Sequence, residues 1–96
     1  MEYENVLKEF KKNKNKFIDS IFDQSKKKLN NINLKERTPD LDYLELSDLF
    51  LKQYRRTGTV EYLEISNILR KVAHKLHWVM IKKGLINKKK NFINLV

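Results

Sequence analysis

TVEYLEISNILRKVAHKLHWVMIKKG, residues 59 to 84, is the stretch that decides the fold. Its apolar residues Tyr62, Ile65, Leu69, Val72, Leu76 and Val79 follow 3-4-3-4-3 spacing, which holds them on one face of a helix. No other part of the chain is so densely periodic. Thr59 can cap the helix with Glu61 in its first turn, and Gly84 ends it with Leu85 behind it in Schellman fashion. The spacing predicts one amphipathic helix over 59 to 83. Barely three heptads fit between Tyr62 and Lys83, short for a stand-alone coiled coil. The stripe therefore reads as intramolecular core, with self-association as the alternative.

Upstream, Thr38-Pro39-Asp40 is a helix start. Thr38 can cap, Pro39 suits the first helical position and Asp40 complements the macrodipole. The helix it opens, 39 to 56, carries Leu41, Leu44, Leu46, Leu49, Phe50, Leu51 and Tyr54. Asp40, Asp42, Glu45 and Asp48 load its first half, and Lys52, Arg55 and Arg56 load its end. Gly58 supplies a left-handed stop, and the short Thr57-Gly58-Thr59 link predicts an antiparallel or sharply bent helix pair. Before the Asn-rich segment at 30 to 33, Tyr3, Leu7, Phe10, Phe17 and Ile21 step at helical spacing over residues 2 to 30. The hexad KKNKNK, residues 11 to 16, interrupts that stripe, because Lys14 falls where an apolar residue is wanted. A loose or bent helix is expected there.

The fold expected is all-α: a single domain of three helices, 2 to 30, 39 to 56 and 59 to 83, with a short extended or wing-like C-terminal tail. Ninety-six residues allow one modest core, and two Gly with one Pro are too few turn residues for a sheet protein of this size. Zero cysteines leave no disulfide framework, thiolate zinc site or cysteine nucleophile. Residues 1 to 20 lack the apolar run of a signal peptide, and no run reaches the roughly 18 apolar residues of a membrane span. The expectation is a cytoplasmic protein with no membrane partner.

The 21 Lys and Arg against 12 Asp and Glu leave a net charge of +9. Segment by segment the balance is +3 for residues 1 to 40, zero for 41 to 58 and +6 for 59 to 96, so the excess gathers at the C-terminal end. Such a domain is drawn to polyanions. Seventeen of the cations are Lys and ten residues are Asn, a usage that AT-rich coding also produces, so the charge has a second source.

On the long helix, Lys71, Lys75, Trp78 and Lys82 form a row opposite the apolar stripe, flanked by Arg70 and His74, with His77 free to turn toward a neighbouring helix. Cations around one aromatic suit a phosphate backbone, with the Trp stacking on an unpaired base. The competing reading is an ordinary solvated face with Trp78 lying on a neighbour. Lys8, Lys12 and Lys16 form a second like-charged row. His74 and His77 could be half of a metal site, yet no Cys and no suitably spaced Glu completes one. Neither metal nor cofactor is expected. The four serines Ser20, Ser25, Ser47 and Ser66 lack nucleophile-elbow glycines, and no Gly-rich phosphate loop exists. An enzyme with a small-molecule substrate is therefore not expected.

The tail carries Lys88, Lys89 and Lys90 and then the apolar Phe92, Ile93, Leu95 and Val96. VMIKKGLINKKKNFINLV, residues 79 to 96, resembles the exit of a winged helix-turn-helix domain. That resemblance implies strands at Leu85-Ile86 and Phe92 to Val96, with the lysine run at a wing tip touching phosphate. It covers those residues alone, since residues 59 to 83 read as one long helix where that family has two helices and a tight turn. Two functions follow as expectations. One is a basic nucleic-acid-binding accessory or regulatory factor using Arg70, Lys71, His74, Lys75, Trp78, Lys82 and Lys88 to Lys90. The alternative is a protein-interaction adaptor or small oligomeric part, anchored by Trp78 and the FINLV tail.

Overall fold

The computed structural model describes residues 2–30 and 38–84. These form four helices: α1 (Tyr3–Lys12), α2 (Lys14–Asn30), α3 (Pro39–Thr57) and α4 (Val60–Lys82). The all-α class holds for them. The single helix expected over 2 to 30 is corrected: it is two helices meeting at Asn13. The KKNKNK interruption thereby gains its cause. Asn13 takes an extended conformation (φ −159°, ψ 99°), and its side-chain Oδ1 accepts the Lys16 N–H at 3.1 Å, so it ends α1 and caps α2. Lys14 is then a corner residue rather than a missing member of the stripe. Its ammonium lies 3.2 Å from Glu64 of α4 and over the Phe10 ring.

The α3–α4 hairpin is the body of the molecule. Gly58 is left-handed (φ 73°) and donates its N–H to Tyr54 O at 2.7 Å, closing α3 as its sequence position predicts. The start signals are placed as expected, with Thr38 and Thr59 at N-cap positions and Pro39 in the first turn. Neither threonine hydroxyl caps, however; only the backbone carbonyls of Thr38 and Thr59 take the first bonds, from Leu41 and Tyr62. At the hairpin's centre Ser47 and Ser66 are fully buried, and each hydroxyl donates to the other's backbone carbonyl at 2.8 Å. Two small side chains let the backbones come close, and the reciprocal bonds leave neither hydroxyl orphaned.

The core draws Tyr62, Ile65, Leu69, Val72, Ala73, Leu76 and Met80 from α4, Tyr43 and Phe50 from α3, Phe10 from α1 and Ile21 from α2. Two sequence expectations change here. Val79 is only half-buried, and Met80 takes the last core position. A strict 3.5-residue repeat runs ahead of a straight helix by about 20° per heptad, so after two heptads the inward position passes to the next residue. After the buried first turn of α3 at Pro39 and Asp40, its inward residues are Tyr43, Ser47 and Phe50, spaced four and three, while Leu41 is 44% exposed. Seven candidate apolar residues offered α3 several faces; packing against α4 selects the one that carries the serine.

α1 and α2 form an arm laid on the hairpin. Tyr3 meets Phe50 edge-on at 5.3 Å, and Phe10 meets Phe17 across the elbow at 5.3 Å. Edge-to-face pairs at this distance add to what their burial contributes. Lys11 reaches Glu61 at 3.6 Å. Exposed pairs of this kind are worth at most about 1 kcal/mol, so aromatic burial holds the arm down.

Candidate nucleic-acid interface

Because α4 buries one face against α3, its opposite face is turned to solvent. Lys71, His74, Lys75, Trp78 and Lys82 are all exposed, and Trp78 shows 44% of its surface. The helix itself provides the geometry: spacings of four, three and four set Lys71, Lys75, Trp78 and Lys82 one above another along a single edge. An indole with three ammonium groups along one line can meet a flat π-face and neighbouring anionic oxygens together.

The flanking residues differ in how committed they are. Arg70 leans to α3 and pairs with Asp48 at 3.6 Å, both side chains about half exposed or more. Lys75 lies over the Phe22 ring of α2, 5.1 Å from its centroid. There it shares a shallow cleft with Asp19, Asp23 and Lys26, so carboxylates border that part of the row. Lys26 extends the cationic edge from α4 onto α2; only the lysine run at 26 to 28 in the sequence hinted at it.

His77 does turn inward. Its Nδ1 lies 3.2 Å from Asp40 Oδ2 of α3, with side-chain exposures of 16% and 8%, and its ring meets Trp78 edge-on at 6.4 Å. Asp40, read from sequence as a surface complement to the macrodipole, is in fact buried and tied to α4. The hairpin register explains the pairing, since Asp40 stands 18 residues before Gly58 and His77 stands 19 after it. Through this contact α3 fixes the ring beside Trp78. The other Asp40 oxygen and the Tyr43 hydroxyl are buried without a hydrogen-bond partner. Burial, helped by the nearby Asp42 charge, raises the Tyr43 pKa above its ordinary value. Lys28 stacks on the outer face of that ring, 4.9 Å from the centroid.

His74 points to solvent while His77 meets Asp40, so the two imidazoles do not converge. Among the described residues no group of three or more His and acidic side chains is placed to hold a metal ion. The expected Lys8, Lys12 and Lys16 row is corrected as well. The elbow puts Lys8 and Lys12 on α1 and Lys16 on α2, and Lys12 and Lys16 rim an open cleft of about 550 Å³ lined by Val6 and Phe17. Lys88, Lys89, Lys90, Phe92, Ile93, Leu95 and Val96 lie outside the described residues, as do the expected wing strands. No helix among the described residues is long and apolar enough to cross a membrane.

Comparison with protein-family models, curated proteins and solved structures yields no match. The described residues form an all-helical body, in a basic chain, with a cation-and-tryptophan edge on α4.

Proposed function

We propose that this chain is a small non-catalytic binding protein whose α4 edge engages nucleic acid, in the manner of an accessory or regulatory factor. The observation that carries the reading is the exposed row of Lys71, Lys75, Trp78 and Lys82 on a helix whose other face supplies most of the buried core. The net charge of +9, six units of it in residues 59 to 96, supports the same partner. Lys71, Lys75 and Lys82 contact phosphates, Trp78 stacks on an unpaired base, and Arg70 exchanges Asp48 for a phosphate oxygen. Lys88 to Lys90 extend the contact beyond the helix.

A second reading, a protein-interaction adaptor, draws on Trp78 itself. With Leu41 it is one of the exposed large apolar residues, and these two flank the Asp40–His77 pair in sequence. Phe92, Ile93, Leu95 and Val96 are the further anchors in that case.

Fluorescence anisotropy of labelled single-stranded and duplex oligonucleotides separates the two. The proposal expects binding that weakens steeply from about 50 mM to about 150 mM salt and collapses in the Lys71→Glu, Lys75→Glu double variant. Equal behaviour of wild type and variant refutes it and points to the adaptor.

A further inference from the structure

The elbow at Asn13 is a one-residue excursion within an otherwise continuous helical pattern. The Asn13 N–H still bonds Glu9 O at 3.3 Å, and Asn13 O still accepts the Phe17 N–H at 3.0 Å, the i to i+4 bonds of an unbroken helix. Residues 2 to 30 contain neither Gly nor Pro, and Lys flanks Asn13 on both sides. Lys is a good helix former, so local propensity favours closing the gap. What keeps the bend is the Asn13 cap on Lys16 together with the docking of α1: Phe10 at 1% exposure, Tyr3 on Phe50, and Lys11 beside Glu61.

From this we infer that the chain forms an arm-exchanged dimer with a second copy of itself, through straightening at Asn13. Turning Asn13 to helical φ and ψ makes α1 and α2 one helix of about 28 residues and swings α1 off its own hairpin. The site it leaves fits the identical arm of another copy. Phe10 then enters the partner's core, Tyr3 stacks on the partner's Phe50, and Lys11 pairs with the partner's Glu61. Each protomer recovers the docking contacts that its own arm gave up, and the Asn13 cap on Lys16 that straightening gives up is offset by the helical backbone bonds that the elbow lacks. Exchange of an identical element across a short hinge is an inexpensive route to a dimer. The inference stands independently of what α4 binds.

The test holds the full chain at millimolar concentration, then measures mass by size-exclusion chromatography with light scattering for wild type, Asn13→Ala and Lys14→Pro. Asn13→Ala removes the cap and raises helix propensity at the hinge. Lys14→Pro suits the first position of α2 in the bent form but breaks a straight helix. The expected dimer-to-monomer ratio is about tenfold or more higher in Asn13→Ala than in wild type, and lowest in Lys14→Pro. Dimers made from mixed 14N and 15N protein are then joined by carbodiimide between Lys11 and Glu61. Cross-linked peptides carrying one label from each chain establish exchange. Monomers alone in wild type and Asn13→Ala, or cross-links only within one label, overturn it.

Discussion

The two halves of this molecule hold together in different ways. The α3–α4 hairpin packs along its whole length, with buried aliphatic side chains, a reciprocal serine clasp and a two-residue link at Gly58-Thr59. The α1–α2 arm rests on that hairpin through Tyr3 on Phe50, the buried Phe10 and Ile21, and partly buried side chains such as Leu7 and Phe22, and bends at one residue with an open cleft at the bend. Continuous packing makes the hairpin a rigid carrier for the α4 edge. With Phe10 and Ile21 as its buried apolar side chains, the arm is held less firmly than the hairpin. Cooperative units within one small domain open at different free energies when their buried contacts differ in this way.

The largest effect that sharpens the contrast is expected at Ile65, which is fully buried in the hairpin. Ile65→Ala leaves a cavity that neighbouring helices cannot fill, and should cost about 2–5 kcal/mol in urea unfolding. A loss under about 1 kcal/mol would mean that the hairpin core is loose. Phe10→Ala comes next. A fully cooperative core would lose about 3–5 kcal/mol. Here the cost to global unfolding is limited to what holds the arm down, so the expected loss is smaller. Amide exchange should quicken throughout α1 while the α4 amides keep their protection; equal quickening in both would erase the distinction. The smallest effect has the opposite sign. Tyr43→Phe removes a buried hydroxyl that has no partner, and should raise stability by about 1 kcal/mol. The same variant should flatten the alkaline limb. A folded-state phenol pKa raised above the unfolded value gives stability that is full below about pH 10 and lost as pH climbs through the folded value.

The sequence was legible where local chemistry and packing agree. The 3-4 spacing of Tyr62 to Leu76, Pro39, and the stop at Gly58 all lead to what is observed, because each acts within one or two turns. What sequence could not supply were choices made by a neighbour. Seven apolar residues on α3 left the inward face open until Ser47 met Ser66. Asp40 looked like surface until the hairpin register brought it to His77. At Lys14 the broken stripe was visible, but whether a helix bends or ends depends on where Phe10 and Phe17 find partners. Of the candidate interface, the α4 edge was readable as a wheel of residues; that Lys75 rests on Phe22 beside Asp19 and Asp23 was not, since it needs the packing of α2.

The central claim, that one face of α4 holds the fold and the other engages nucleic acid, is tested most directly by mapping amide and indole chemical shifts in 15N-labelled protein during titration with a single-stranded oligonucleotide at about 150 mM salt. Shifts among residues 2–30 and 38–84 are expected to concentrate at Lys71, His74, Lys75, Trp78 and Lys82, with Ile65, Leu69 and Val72 little changed. Shifts centred on the α1–α2 cleft or scattered without focus, or none at that salt, would contradict it.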